Sequence, residues 1–161
     1  QHFRDNGVAP EGHELIHAVI GVEDGVARFP RLPLAHNDYG AFAVFEPSET
    51  EAARRRGELE EVRCVGLSGL LARTGRTDLV HMDIQGHEVV VLSGSIEALN
   101  THVRRLVVGT HSRRIEAELF DLFVAHGWYL EFEKPCDLIQ LADGALYHPG
   151  DGEQVWRNPR V

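Results

Sequence analysis

Apolar residues lie along the chain in short runs separated by polar and glycine-containing segments. Nearly unbroken apolar runs predict strands covered on both faces, whereas apolar residues spaced by three and four predict helices. The order of these elements is typical of a layered α/β sheet with helices on both faces. The pattern predicts strands at 13–22, 26–30, 78–84, 103–111, 128–134 and 153–159, a strand and then a short helix over 62–74, and helices at 48–60 and 113–127.

Turn and capping residues mark several boundaries. The turn sequence Glu23-Asp24-Gly25 predicts that 26–30 folds back as a hairpin arm. Ser48, with Glu51 three residues later, has the spacing of a capping box, Ser68 is the predicted cap of the short helix, and Gly127 is the predicted end of helix 113–127. Residues 30–50 are predicted to be mostly loop, with room for a short strand at 41–45.

Segment 87–99 fits two structures. Three successive valines favour a strand, whereas the spacing of Val90, Val91, Gly94 and Leu99 also allows a helix. The sequence leaves both open.

Length and composition limit the class of protein. A chain of 161 residues with 43% hydrophobic residues suits a single domain over 1–161 with its own core. The formal net charge of −9 argues against nucleic acid as a partner, and no apolar run approaches the ~20 residues of a membrane span. Two cysteines without a CxxC pair indicate a reducing, cytoplasmic location.

Polar and small residues follow three predicted strands. Asp83 ends one strand, Thr110 and His111 end the next, and residues 18–21 lie near the end of the first. Ligands of open α/β sheets bind outside the carboxyl ends of parallel strands, so these residues are expected to share one crevice.

Each candidate side chain also has a plain structural explanation. Asp83 could act as a general base or cap the following helix, and Glu88 could simply interact with the helix dipole. His111 could be a base or a partly buried histidine bonded to backbone. His81, Asp83, His87 and His111 could also ligate a metal, but their spacing matches no standard zinc pattern and a His-Glu-x-x-His motif is absent, so no metal is predicted.

The segment DLVHMDIQGHEVVVLSGS (78–95) resembles the strand–turn–helix motif of FkbM-type S-adenosylmethionine-dependent methyltransferases. Gln85 stands where the family usually has glutamate. The segments LIHAVIGVEDGVARF, LVVGTHS and DGEQVWRNP are similar to flanking parts of the family, so the resemblance covers roughly residues 13–160. The matching residues of the central motif are Asp83, Gly86, Glu88, Leu92 and Gly94.

The resemblance implies a class I methyltransferase fold, Rossmann-like, with a three-layer, mostly parallel sheet. The family's glycine loop and ribose-binding acid are not found before residue 13, so the chain is expected to lack the first βαβ unit and to be the carboxyl-terminal part of a longer domain.

The resemblance also implies S-adenosyl-L-methionine as cofactor and methyl transfer to an oxygen of a small-molecule acceptor, such as a saccharide or another natural product. The implied catalytic residues are Asp83 and His111, and the implied substrate-binding residues are Tyr39 and Glu88. The implied cofactor-binding residues are Ala18, Val19, Asp83, Ile84 and Gln85.

Two alternatives stay open. The chain could be a non-catalytic remnant or interaction domain that keeps the same half of the fold, because the glycine loop is missing. A metal-dependent hydrolase that uses the histidines is the weaker alternative.

Overall fold

The computed structural model describes residues 5–7, 9, 11–31, 40–45, 50–55, 57–147 and 149–161. Its helices are α1 (Thr50–Arg54), α2 (Leu67–Thr74), α3 (Glu88–Gly94), α4 (Ile96–His102) and α5 (Arg113–Ala125). Its strands are β1 (Val19–Gly21), β2 (Gly25–Pro30), β3 (Leu59–Gly66), β4 (Thr77–Met82), β5 (Val103–Thr110), β6 (Tyr129–Lys134), β7 (Ile139–Gln140), β8 (Leu146–Tyr147) and β9 (Gly152–Arg157). The predicted mixed α/β class is confirmed.

The first sheet has three strands in the order β1-β3-β2. β1 runs parallel to β3, with Val19 opposite Cys64, and β2 runs antiparallel to β3, with Ala27 opposite Val62. The predicted hairpin between 26–30 and the preceding strand is therefore wrong, because β3 lies between the two.

The predicted strand over 13–22 is also wrong over its first part, since β1 begins only at Val19. Leu15 is 75% exposed, so the apolar residues before β1 do not enter a core.

The second sheet has four strands in the order β4-β5-β9-β6. β4 and β5 are parallel and are joined through α3 and α4, which makes a βαβ unit. β9 runs antiparallel to both of its neighbours. The described strands thus form two separate main sheets and a small β7-β8 ribbon, where the sequence predicted one sheet.

The main core lies between the second sheet and helices α2 to α5. The Phe123 ring contacts the rings of Trp128 and Trp156, with centroids 5.1 Å away in both cases. The indole N–H of Trp156 donates to Gln154 at 3.1 Å, so the buried polar end of this ring is satisfied. Ile20 of the first sheet packs against the same core, which ties the two sheets together.

Helix predictions had mixed outcomes. Segment 87–99 forms helix, as α3 and the start of α4. Helix α5 begins after Ser112, whose hydroxyl accepts the N–H of Ile115, and it is followed by Gly127 at φ 69°, as predicted. The predicted cap at Ser68 is wrong, because α2 begins one residue earlier and has Gly66 as its N-cap.

Helix α1 is much shorter than the predicted 48–60, since β3 already begins at Leu59. Ser48 lies outside the described residues. Within 41–45 the structure has only an isolated bridge between Val44 and Arg28.

Both cysteines, Cys64 and Cys136, are buried free thiols. In the described part of the chain, no helix combines the length and the apolar character that crossing a membrane requires.

Candidate functional site

The corner between β4 and α3 is made by two successive residues with positive φ. Gln85 has φ 56° and Gly86 has φ 102°. The left-handed conformation costs about 1–2 kcal/mol for a residue other than glycine, so Gln85 is held there by its surroundings. Its side-chain amide donates to Asp83 Oδ1 at 3.0 Å, which fixes one oxygen of that carboxylate.

Glu88, the first residue of α3, anchors this corner from inside. The side chain is 0% exposed. Its carboxylate accepts the backbone N–H of Ile84 at 3.0 Å and the backbone N–H of Gly86 at 3.0 Å. A buried carboxylate is tolerated only when it is hydrogen-bonded or paired, and Glu88 meets this condition by closing the turn that precedes its own helix.

His111, which follows β5, lies between two carboxylates. Its Nδ1 is 3.1 Å from Glu88 Oε1, and its Nε2 is 3.2 Å from Asp83 Oδ1. Within the described part of the chain, neither ring nitrogen has a partner with hydrogen-bond angles, so both contacts are ion-pair contacts at close range. Asp83, His111 and Glu88 thus form a row, which we call the His111 row. The exposed fraction of the side chain falls along this row, from 50% for Asp83 to 15% for His111 and 0% for Glu88.

These contacts set the protonation of the row. The Glu88 carboxylate raises the pKa of His111; burial opposes this, and the charges of Asp151 and Asp83 reinforce it. Burial by itself would raise the pKa of Glu88, but His111 and the backbone N–H groups at the corner together bring it below its ordinary value. The contact with Glu88 therefore favours the protonated, imidazolium form of His111.

Gly109 lets Asp83 lie directly against β5. A Cβ at position 109 would be 3.2 Å from Asp83 Cγ and 3.3 Å from Asp83 Cβ. A side chain at this position would require Asp83 to shift by a few tenths of an ångström, so Gly109 permits the present close approach of Asp83 to β5.

Asp83 also lines a cleft of about 440 Å³ between the corner and the first sheet. We call it the Asp83 cleft. All five residues that the sequence assigned to the cofactor line it together, although Ala18 and Val19 lie at the beginning of β1 rather than at its end. The lining residues are Ala18, Val19, Ile20, Phe29, Ala41, Phe42, Ala43, Phe45, Asp83, Ile84, Gln85 and His87.

The remaining sequence candidates have different positions. Tyr39 lies outside the described residues. Thr110, at the end of β5, points away from the site and bonds to the buried carboxylate of Glu116 at 3.1 Å. Phe29, Phe42 and Phe45 form an aromatic wall of the cleft that the sequence did not predict as a unit, although Phe42 and Phe45 both lie in the predicted loop region 30–50.

Asp83, Glu88 and His111 could together hold a metal ion, since one ligand atom from each lies within 4.8 Å of the others. This group differs from the set considered in the sequence, because His81 and His87 are not part of it. The two carboxylates face different nitrogens of one ring, so an ion shared by all three would require the ring to turn. A protonated imidazole satisfies the present arrangement without any movement.

The comparisons with known proteins include a relative by sequence. No protein-family model matches the chain. The chain is 34% identical over 158 residues to a protein of Jannaschia sp. (strain CCS1) that is named "Putative methyltransferase". The match covers 97% of this chain and 56% of that protein, so the chain spans a little over half of the relative's length.

A solved structure was also matched. The crystal structure of precorrin 8w decarboxylase from Methanobacterium thermoautotrophicum aligns with a TM-score of 0.40 and 15% identity. The alignment covers 70% of this chain and 65% of that chain. A TM-score of this size does not establish a shared fold.

Proposed function

We propose that the chain is part of an S-adenosylmethionine-dependent methyltransferase of the FkbM type, with a class I fold, that methylates a hydroxyl oxygen of a small acceptor. The observation that most directly supports this proposal is the row of Asp83, His111 and Glu88 beside the Asp83 cleft. The name of the Jannaschia relative supports the same class. The βαβ unit of β4 and β5 supports the fold, because ligands bind at the carboxyl ends of such strands.

The row suits proton removal from an alcohol. Asp83 faces the cleft and is the residue that accepts a hydrogen bond from the acceptor hydroxyl. His111, behind it, takes up the proton when its ring is unprotonated, and the imidazolium so formed is stabilised by buried Glu88. Asp83 and His111 are the proposed catalytic pair, and Glu88 is a positioning residue that fixes the ring of His111.

The cleft fits the proposed cofactor in size and in part of its chemistry. Its volume of about 440 Å³ lies within the range of small-molecule sites. Ala18, Val19 and Ile84 offer apolar surface, and Gln85 offers a side-chain amide at the mouth. S-adenosylmethionine, when bound, supplies an electrophilic methyl group; the chain's own contribution is to orient the hydroxyl and to accept its proton.

Calorimetric titration with S-adenosylhomocysteine tests the cofactor assignment. We expect the full-length protein that contains this chain to bind it, and we expect Ala18→Trp, which fills the cleft, to remove binding. Ala125→Trp, at an exposed position at the end of α5, is the matched control and should bind normally. If the Ala18→Trp variant still binds as well as the control, the cofactor does not occupy this cleft.

The catalytic pair is tested in a methyl-transfer assay with the radiolabelled methyl donor. Asp83→Asn and His111→Ala are each expected to lower turnover by about 100-fold or more, while binding of S-adenosylhomocysteine stays within a few-fold of wild type. Unchanged turnover in both variants would contradict the assignment.

The non-catalytic alternative draws on the missing glycine loop. It predicts that neither this chain nor a longer product of the same reading frame binds S-adenosylhomocysteine. The hydrolase alternative draws on the three-ligand group at His111 and predicts bound metal by elemental analysis, together with loss of activity on chelation.

A further inference from the structure

A second cleft, of about 460 Å³, lies beside the first. We call it the Val90 cleft. It is bounded by the turn that follows β1 on one side and by α3 on the other. Phe45 and His87 line both clefts and stack edge to face at 4.9 Å, so they form the boundary between them. The lining residues are Gly21, Val22, Glu23, Asp24, Gly25, Val26, Phe45, Cys64, His87, Val90 and Val91.

The Val90 cleft gathers exposed apolar side chains. Val26 is 68% exposed, Val90 is 58% exposed, and Val22 and Phe45 are each more than a third exposed. Single exposed apolar residues are ordinary, but four that converge on one concavity are typical of a binding site. The apolar surface here is thus available to a ligand.

The walls of this cleft are preformed. Asp24 Oδ1 accepts the backbone N–H of Gly66 at 2.8 Å, which fastens the turn to the end of β3. On the other side, Gly94 of α3 is in close contact with Val22, since a Cβ at 94 would be 2.7 Å from Val22 Cγ1. A ligand would therefore meet a shaped surface rather than a turn that must first be ordered.

The charges at the rim restrict the ligand. Glu23 and Asp24 are carboxylates, and the only thiol in the lining is kept neutral because burial and Asp24 raise the pKa of Cys64. An anionic ligand would be repelled, whereas a neutral apolar group would be accepted without leaving a buried charge unpaired.

We propose that the Val90 cleft binds a neutral, apolar portion of the methyl acceptor, whose reacting hydroxyl extends past the Phe45–His87 boundary to Asp83. This inference rests on the proposed function for the choice of occupant. It narrows the acceptor to a hydroxyl compound that carries an aromatic or aliphatic group, as opposed to an unsubstituted sugar.

Binding of the neutral dye N-phenyl-1-naphthylamine, followed by its fluorescence, tests the cleft directly. We expect saturable binding of the dye at one site. In Val90→Asp the affinity should fall about tenfold or more, because bound dye would displace water from the new carboxylate. Val124→Asp is the matched control, since Val124 is a helical valine of similar exposure, 51%, outside this cleft. The anionic dye 8-anilinonaphthalene-1-sulfonate should bind at least about tenfold more weakly than the neutral dye.

A second variant and a second ligand separate the possible failures. Val26→Asp, in β2, should weaken the dye as Val90→Asp does, which excludes an effect of a damaged α3. Equal dye binding by Val90→Asp and Val124→Asp, or no saturable binding, would overturn the inference even if S-adenosylhomocysteine binds. If the full-length protein never binds S-adenosylhomocysteine but dye binding is lost in the cleft variants, the apolar cleft is kept. The proposed function, and with it the assignment of the occupant as a methyl acceptor, is then overturned.

Discussion

At the scale of single residues, the two carboxylates beside His111 differ in their exposure to solvent. Asp83 is half exposed and faces the cleft, whereas Glu88 is fully buried and bonded to the backbone of the corner. His111 connects the two. Because Glu88 is buried at the inner end of this row, it has little contact with any ligand. Its main effect is on the protonation and orientation of the His111 imidazole.

The first prediction concerns the pKa of His111. In Glu88→Gln, the largest cause of the raised value is removed, so the pKa is expected to fall toward the ordinary value of 6.5. NMR titration of the His111 ring proton measures this directly. The pH at which methyl transfer becomes half-maximal should move down by the same amount.

Glu116→Gln is the control for this change. Glu116 is also a buried carboxylate, but it bonds to Thr110 and to the backbone N–H of Cys136 instead of His111. Its substitution should leave the His111 titration near the wild-type curve. Equal shifts in the two variants would mean that general loss of buried charge, and not the Glu88 contact, sets the pKa.

The second prediction concerns the strain at Gln85. Gln85→Gly and Gln85→Ala both remove the hydrogen bond to Asp83, but only glycine accepts the positive φ without steric cost. Gln85→Gly is therefore expected to be more stable than Gln85→Ala by about 1 kcal/mol in urea unfolding. If the alanine variant is the more stable of the two, position 85 does not hold a left-handed conformation in solution.

The sequence predicted the meeting of Asp83 and His111, because the carboxyl ends of neighbouring parallel strands lie at one edge of a sheet. It did not predict the burial of Glu88 or the function of Gly109. Both depend on a contact between the corner after β4 and the strand β5, and the spacing of residues within one element carries no information about such a contact.

At the scale of elements, the sequence predicted the end of helix α5 correctly from a residue that suits the backbone conformation there. It was wrong about the strand at 13–18, which was predicted from hydrophobicity alone. Gly127 follows the end of α5 as predicted, and Ser112, which the sequence analysis did not identify, caps its start. The apolar run at 13–18 instead stays outside any sheet. The three valines of 89–91 form helix, since burial of Val91 and Leu92 against the core outweighs their strand propensity.

The third prediction compares two serines. Ser112→Ala removes a side-chain cap whose oxygen accepts the Ile115 N–H at 3.2 Å, so it should cost about 1 kcal/mol of stability. Ser68→Ala, at the position that the sequence wrongly identified as a cap, should cost little, because the cap of α2 is Gly66. Urea unfolding of both variants measures the difference. A larger loss at Ser68 would mean that α2 begins later than the structure shows.

At the scale of the whole molecule, the row at His111 couples elements that are distant along the chain. Asp83 and Glu88 belong to the β4–α3 corner, His111 follows β5, and the Asp83 cleft is closed on its other side by the first sheet. The sequence predicted the elements of this arrangement more completely than their assembly. The sequence did not predict that β2 pairs with β3, since the register of that pairing is set by side chains some 35 residues apart.

Because the contact between His111 and Glu88 changes the pKa of both groups, the free energy of unfolding should depend on pH, and this dependence tests the contact. The folded protein raises the pKa of His111, so the resulting stabilisation is complete below its ordinary value of 6.5 and is lost as pH rises through the folded value. The lowered pKa of Glu88 adds stability above its ordinary value of 4.5, and this is lost as pH falls through the folded value. The pair therefore stabilises most between these two ordinary values.

We expect the free energy of unfolding in urea to fall between pH 5.5 and pH 8.5 because of this pair. Burial raises the folded-state pKa of both Cys64 and Cys136, so their ionisation in the unfolded chain also lowers stability at the alkaline end of this interval, in the wild type and in the histidine variants alike. His111→Gln should remove most of the slope, while His81→Gln, at an exposed position in β4, should retain it. The same slope in both variants would place the titrating group elsewhere in the protein, and the proton transfer proposed for His111 would then lose its electrostatic basis.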